Sequence, residues 1–131
     1  MNFPKELRYT KDHEWARVEE KIAVVGITDF AQTKLGSIVF VDLPSPGKMV
    51  KKGETLAAID SVKAVADVFA PVSGEVDSVN ESLREKPEVI NEDPYGDGWM
   101  VKLKIAEAGE LSSLMPVDVY ETFVAEEEAK E

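Results

Sequence analysis

The chain has 131 residues, of which 44% are hydrophobic, and it has a formal net charge of −11 and no cysteine. This length fits one domain, 1–131, with a core of its own, while the missing cysteines exclude disulfides, thiolate metal sites and a cysteine nucleophile. The negative charge disfavours nucleic acid and anionic membrane as partners. The sequence has no long apolar run and no signal core, so we expect a soluble protein that is cytoplasmic or already processed. A processed eukaryotic protein would lie in the mitochondrial matrix.

Two strands are predicted near the N-terminus. They span Glu14 to Val18 and Lys21 to Ile27, with a turn at Glu19-Glu20, and the second is rich in Val and Ile. Gly26 inside the second run predicts a bulge or a close approach of another group to the backbone.

A short helix is predicted from Thr28 to Gly36, because Thr28 suits an N-cap and Gly36 suits the C-terminal end. Its apolar face is predicted to consist of Phe30, Ala31, Lys34 and Leu35. A strand should follow from Ile38 to Leu43, ended by a Pro- and Gly-containing turn.

The segment from Leu56 to Gly74 is ambiguous. Its large apolar residues recur every three or four positions among several alanines, a spacing that favours a helix: Leu56, Ile59, Val62, Val65 and Phe69. A hairpin would need a turn at Ser61–Ala64, where no Gly, Asn or Pro supports one.

A weak repeat favours the hairpin. Gly53-Glu54-Thr55 and Gly74-Glu75-Val76 are similar, and their glycines lie almost symmetrically about the Lys63–Ala64 boundary. Two strand-turn-strand halves joined near 61–64 would place Lys63 at the joint.

The C-terminal half alternates between strands and helices. We predict a strand over Val76–Asn80, a helical turn over Pro87–Ile90 and a strand over Trp99–Ile105. In the last strand the side chains should alternate, with these inward: Trp99, Val101, Leu103 and Ile105. The side chains of Met100, Lys102 and Lys104 should point outward. A helical region covers about 110–129, with an inward stripe at Val119, Tyr120, Phe123 and Val124.

Few residues indicate catalysis. His13 is the single histidine. A hydrolase using His13, Glu14 and Asp67 would lack a nucleophile and oxyanion donors. We therefore favour a structural role for His13, as a hydrogen-bonded histidine. One His without Cys disfavours a metal site, and there is no phosphate loop or dinucleotide fingerprint. The basic cluster Lys48, Lys51 and Lys52 is interpreted as a solvated turn.

A lysine can attach a group-carrying cofactor such as biotin or lipoate. That function needs a primary amine on an exposed, rigid turn and no catalytic residues in the carrier. Lys63, at the joint of the two half-units, is the candidate attachment residue.

Four long segments carry a resemblance to a known family. They read YTKDHEW at 9–15, VGITDFAQTKLGSIVFVDLP at 25–44, DSVKAVADVFAPVSGEVDSVN at 60–80 and NEDPYGDGW at 91–99. The chain closely resembles the H-protein family of the glycine cleavage system from Tyr9 to about Phe123.

The resemblance implies a mostly β, biotinyl/lipoyl-type fold: a sandwich or flattened barrel of two antiparallel sheets, with short helices including one at the C-terminus. It implies that Lys63 carries lipoate in amide linkage, and that the helix favoured at 56–69 is wrong. The expected function is a non-catalytic carrier that takes an aminomethyl group from glycine decarboxylase (P protein) to aminomethyltransferase (T protein). Dihydrolipoamide dehydrogenase (L protein) then reoxidises the lipoyl arm. A separate lipoylating enzyme attaches the arm to Lys63 before this cycle begins.

By the same resemblance, Glu14 and Asp67 match acidic positions of a cleft that shelters the loaded arm. Position 12 also contributes to this cleft in some members, and this chain has Asp12 where the family commonly has serine. Asp60 stands where the family usually has Glu, and Ala66 where serine is frequent. Asp60 is the departure that bears on recognition by the lipoylating enzyme.

Two alternatives are other carriers. One is an H-like protein that relays lipoate to other complexes. The other is a biotin carrier, which is disfavoured because Val62 and Ala64 replace the methionines that usually flank the lysine.

Overall fold

The computed structural model describes residues 1–130. Its strands are β1 (Arg8–Tyr9), β2 (Glu14–Glu19), β3 (Ile22–Ile27), β4 (Ile38–Asp42), β5 (Met49–Val50), β6 (Thr55–Ser61), β7 (Val65–Phe69), β8 (Gly74–Val79) and β9 (Val101–Ile105). Its α-helices are α1 (Asp29–Leu35), α2 (Ser82–Glu85), α3 (Val89–Glu92) and α4 (Val117–Ala129), with a 3-10 helix at Ala108–Ser113.

The strands form two antiparallel sheets. The larger has the order β1-β2-β3-β9-β8-β5 and the smaller has the order β4-β6-β7. Neither sheet closes on itself among the described residues, so the sandwich form of the predicted fold is confirmed and the flattened barrel is not.

Two buried clusters hold the sandwich together. The main core contains aliphatic residues from both sheets, among them Val25, Ile59 and Leu103, which are fully buried. A second, aromatic core lies under α4, where the rings of Tyr9 and Tyr120 stack with centroids 4.5 Å apart. This second core fixes the C-terminal helix against β1 and β2 and thereby closes one side of the site described below.

Helix α1 forms as its end residues predict. The hydroxyl of Thr28 accepts a hydrogen bond from the Ala31 N–H (3.2 Å), and Gly36 ends the helix with φ +74°. Phe30 is buried, whereas Lys34 is exposed, with its Nζ 5.5 Å from the centroid of the Phe30 ring.

Gly26 confirms the predicted close approach. A Cβ added to Gly26 would lie 2.7 Å from the indole of Trp15, its partner in the β2–β3 register. The indole is fully buried and donates to the carbonyl of Pro94 (3.0 Å).

The helix favoured by spacing at 56–69 is wrong. Residues in this segment form β6 and β7, which pair antiparallel through Ala58–Asp67, Ile59–Ala66 and Asp60–Val65. A register shift between Thr55 and Ala57 places consecutive residues of β6 in the core, which hides the two-residue period expected of a strand.

Two predictions of side-chain direction are also wrong. Met100 is fully buried because it precedes β9, so the alternation of that strand does not govern its side chain. Val119 is 47% exposed. At about 100° per residue, it lies roughly 120° from the direction shared by Tyr120 and Val124.

The remaining helices differ modestly from prediction. The turn expected at Pro87–Ile90 lies at α3, and α2 precedes it without a recognised signal. No helix within residues 1–130 combines the length and apolar character needed to cross a membrane.

Candidate functional site

The hairpin between β6 and β7 turns through the side chain of Ser61. Its Oγ accepts from the N–H groups of Lys63 (3.2 Å) and Ala64 (3.0 Å) and donates to the Ala64 carbonyl (3.1 Å), and the Ser61 N–H donates to the same carbonyl (2.8 Å). A serine hydroxyl therefore performs the function that a Gly, Asn or Pro would perform in a more recognisable turn.

The tip of this hairpin is also tied to its neighbour. The Val62 N–H donates to the Ser37 carbonyl (3.0 Å), in the connection between α1 and β4. Lys63 itself is exposed. The structure thus presents a primary amine on a short turn that is hydrogen-bonded both internally and to the body of the domain.

Gly36 forms a seat for the stem of Lys63. A Cβ added to Gly36 would lie 2.9 Å from Lys63 Cε, so a side chain there would displace the lysine or the loop. Asn91 fixes this position: its amide donates to the Gly36 carbonyl and to Gln32 Oε1, and its Oδ1 accepts from the Ile38 N–H, all at 2.9 Å. Neither Gly36 nor Asn91 was identified as a site residue from sequence, although both lie in the resembling segments.

A small cavity of about 190 Å³ has Leu35, the neighbour of Gly36, in its lining. Its lining comes from α1, from β6 and β7, and from the segment before β2: Asp12, His13, Glu14, Ile27, Phe30, Ala31, Lys34, Leu35, Ile59, Ala66, Asp67 and Val68. The structure therefore brings together Asp12, Glu14 and Asp67, which are 55 positions apart at the extremes, around one cavity.

The three acids differ in environment. Glu14 is 1% exposed, whereas Asp12 and Asp67 are exposed. Oε1 of Glu14 accepts from the Thr10 hydroxyl (2.5 Å) and Oε2 accepts from the Phe69 N–H (3.1 Å). Glu14 is therefore the one acid of the three that is buried with a hydrogen bond to each carboxyl oxygen.

Burial raises the pKa of the Glu14 carboxyl from 4.5 to about 7. That value includes the opposing effect of the hydrogen bonds from Thr10 and Phe69, which lower the pKa, and a smaller effect of the Asp12 charge, which raises it. Near neutral pH this carboxyl is close to half-protonated, so a nearby cation would convert it to the carboxylate.

A second, larger cleft adjoins the cavity. It has a volume of about 570 Å³, shares Asp12 and Glu14 with the small cavity, and is otherwise lined largely by Phe69, Pro71, Met115 and Phe123. Glu14 thus lies between two spaces that both have largely apolar walls.

His13 has a structural role. Its Nδ1 is 2.8 Å from the Tyr120 hydroxyl and its Nε2 is 2.9 Å from Glu127 Oε2, so both ring nitrogens are engaged by α4. Neither nitrogen is available to act with Glu14 or Asp67, and the hydrolase alternative loses its base. Lys52, from the basic cluster, contacts the hydroxyl of Ser113.

A two-sheet sandwich with a lysine at the tip of the hairpin between two paired strands is the architecture of a lipoyl-type carrier domain. Among the described residues, no group of His, Asp and Glu is arranged to hold a metal ion.

Comparisons with known proteins identify the family. A family model described as glycine cleavage H-protein matches residues 7–127. The glycine cleavage system H protein of Bacteroides thetaiotaomicron is 50% identical over 124 residues, which are 95% of this chain and 98% of that protein. The one of Thermotoga maritima is 53% identical over 120 residues, 92% of this chain and 97% of that protein.

Structure agrees with sequence. The crystal structure of a glycine cleavage system H protein from Mycobacterium marinum has a TM-score of 0.83 and 36% identity, covering 90% of this chain and 95% of that one. The chain belongs to the glycine cleavage H-protein family. Its role is that of a lipoyl carrier in the glycine cleavage system, and the alternative of relaying lipoate to other complexes is not favoured.

Proposed function

We propose that Lys63 is the residue that carries lipoate, as N6-lipoyl-lysine, and that residues 1–131 are one lipoyl-carrier domain built to present it. The observation that carries this proposal is the position of Lys63, an exposed amine on a hairpin tip whose stem lies on Gly36 beside an acid-lined cavity. A rigid base is needed because the attachment point must be offered to several enzymes in turn.

The surroundings of Lys63 fit a long, mostly apolar arm. Gly36 leaves the space that a Cβ would fill, and the cavity lined by its neighbour Leu35 has apolar walls that also include Phe30 and Ile59. When bound, lipoate supplies a redox-active dithiolane that accepts the aminomethyl group. The chain supplies the tether, the direction of the tether and a place for it to rest.

Glu14 is the residue proposed to hold a loaded arm. A protonated amine entering the cavity would meet a buried carboxyl that is already fixed by Thr10 and Phe69. Charge pairing in a buried environment is stronger than in water, and it would shift Glu14 to its carboxylate form. Asp12 and Asp67, both exposed, add negative charge at the cavity lining.

The apolar walls are proposed to protect what the arm carries. An aminomethyl adduct hydrolyses in water, so removing it from solvent lengthens its life. Phe30, which is buried, and Leu35, which is half-buried, line the same cavity as Glu14 and supply apolar wall.

The partners proposed are the P, T and L proteins and a lipoylating enzyme, and the carrier itself performs no catalysis. Tethering raises the effective concentration of the transferred group at each partner, which replaces a search through solution by a local one. The acidic surface, with a net charge of −11, suits partners with basic docking sites.

Replacing the amine tests the proposal. Lys63→Arg keeps the positive charge but has no primary amine to acylate, so we expect no lipoylation and no glycine cleavage in a system reconstituted with P, T and L proteins. Lys48→Arg, at an exposed lysine outside the hairpin, is the matched control and should retain both. Glycine cleavage that survived in Lys63→Arg would overturn the proposal.

A further inference from the structure

The larger cleft next to Glu14 is a space that the proposed function does not use. Its volume of about 570 Å³ falls in the range of small-molecule sites, and its lining includes the end of β7, the residues that follow β7, and part of α4. Neither Asp67 nor any residue of α1 lines it. The cleft is therefore distinct from the cavity proposed to shelter the loaded arm, with which it shares Asp12 and Glu14.

The walls of this cleft are mainly apolar. Phe69, Met115 and Phe123 are half-buried, so part of each side chain stays open to a ligand, and Pro71 and Leu114 are buried. Aromatic and thioether side chains in such a recess gain contact area when an apolar body displaces water from them. The walls thus favour a ligand with a compact apolar body.

Glu14 is the buried ionisable carboxyl of the cleft. It is 1% exposed, whereas Lys11, Asp12 and Lys52 are exposed, carry both signs and do not select one kind of ion. Among the described residues Glu14 forms no ion pair with a lysine, an arginine or the histidine. Each of its oxygens accepts one hydrogen bond and can accept another. A buried carboxylate without a counter-ion is costly, so a cation that reaches Glu14 gains more than it would at the surface.

We propose that the larger cleft is a binding site for a small free amine with an apolar body, held through its ammonium by Glu14 and through its body by the apolar walls. The amine meets Glu14 from the cleft, whereas a loaded arm would meet the same carboxyl from the small cavity. In a buried site one carboxylate pairs with one ammonium, because two cations at this range repel each other. The free amine and the loaded arm therefore compete. This competition rests on the proposed function, whereas the binding of the free amine does not.

Binding should depend on the ionisation of Glu14. Its pKa is about 7 in the folded chain, and an alkylammonium, like lysine, keeps its proton well above that pH. Affinity should therefore rise with pH through about 7. The other charged or titratable residues that line the cleft are Tyr9, Lys11, Asp12 and Lys52, and those that line the small cavity are Asp12, His13, Lys34 and Asp67. All of them are kept in Glu14→Gln, so this variant isolates the contribution of Glu14.

The test is the binding of phenethylamine to the full-length unlipoylated chain, followed by NMR shifts of the backbone amides. Phenethyl alcohol and hydrocinnamate serve as neutral and anionic analogues of similar shape. Met115→Ala removes apolar wall from the cleft, and Leu35→Ala is the matched control because it removes apolar wall from the small cavity instead. The amide spectra also show that each variant is folded.

We expect a Kd for phenethylamine on the order of 1 mM or below at about pH 8. The Kd should be about tenfold higher or more at about pH 5.5, where Glu14 is protonated. Both analogues should bind about tenfold or more weakly, as for loss of a charged hydrogen bond. Glu14→Gln should lose the preference for the amine together with its pH dependence, and Met115→Ala should weaken binding while Leu35→Ala does not.

Three results would overturn the site. Equal binding of the alcohol and the amine would mean that Glu14 does not select the ligand. Tightest binding of hydrocinnamate would assign selection to the exposed lysines. Weakened binding in Leu35→Ala, with none in Met115→Ala, would place the amine in the small cavity.

A separate measurement tests the competition. On a loaded carrier, phenethylamine should speed the release of ammonia from the adduct, whereas phenethyl alcohol at the same concentration should not. If phenethylamine binds as expected but ammonia release is unchanged, the competition is refuted. The proposed role of Glu14 in holding the loaded arm then fails, while the binding site for the free amine stands.

Discussion

Glu14→Gln should change how stability depends on pH. The carboxyl is buried and its pKa lies at about 7 in the folded chain against 4.5 as its ordinary value. Folding therefore favours the protonated form. The unfolded state loses this proton first as pH rises, so the free energy of unfolding falls between about pH 4.5 and 7.

The size of this effect follows from the two pKa values. Each pKa unit by which folded and unfolded states differ corresponds to about 1.36 kcal/mol, so an interval from 4.5 to about 7 corresponds to about 3 kcal/mol at full deprotonation. Glutamine has no such titration and keeps both hydrogen bonds: its carbonyl can accept from the Phe69 N–H while its amide donates to Thr10 Oγ.

Urea unfolding at several pH values measures the difference. Relative to the unsubstituted chain, Glu14→Gln should gain about 2 to 3 kcal/mol of stability between about pH 5 and pH 8. Glu128→Gln, at an exposed position on α4, should show no comparable gain. Parallel profiles for Glu14→Gln and the unsubstituted chain would refute the argument, because Glu14 would then titrate alike in both states.

The remaining predictions concern the arm and its base. On a loaded carrier, Glu14→Ala should shorten the lifetime of the adduct measured by ammonia or formaldehyde release, with Glu128→Ala as control; equal lifetimes would count against protection by Glu14. Ser61→Ala should lower the free energy of unfolding by about 1 kcal/mol and speed hydrogen exchange of the Lys63 and Ala64 amides, whereas Ser61→Thr should do neither. Unchanged exchange in the alanine variant would contradict a turn held by the Ser61 hydroxyl. Gly36→Ala should destabilise the chain by about 1 kcal/mol or more because of its φ of +74°, while Gly109→Ala, with nothing within 4 Å, should not. Equal stabilities would contradict the strain expected at Gly36.

Local rules predicted the elements whose signals are carried by one or two residues. Thr28 and Gly36 mark the ends of α1 because a cap and a positive φ need those residue types. The strand that contains Gly26 was equally readable, since Val and Ile dominate it. Only the structure shows that Gly26 is required by the indole of Trp15.

The hairpin resisted such rules for two physical reasons. A bulge near Thr55 interrupts the alternation of β6, and alanines occupy inward positions that large apolar residues usually mark. The turn then depends on the hydroxyl of Ser61, a weak signal in a sequence. Long resembling segments identified the hairpin where residue spacing favoured a helix.

The site combines residues distant in sequence. Glu14 and Asp67 come together because Phe69 of β7 bonds to Glu14, a contact between elements of different sheets that no local pattern specifies. Glu14 is paired with Ile27 in the β2–β3 register and is 1% exposed, and this burial raises its pKa. The sequence resemblance named the acids, and the packing of the two sheets determines that only Glu14 is buried.

Peptide mapping by mass spectrometry tests the central claim most directly. The chain is incubated with a lipoate ligase, ATP and lipoate, digested, and searched for a lipoyl group on every lysine. The account predicts one lipoyl group, on the peptide that contains Lys63, and none anywhere in Lys63→Arg. A lipoyl group on another lysine, or an unmodified Lys63 in a chain that sustains glycine cleavage, would contradict it.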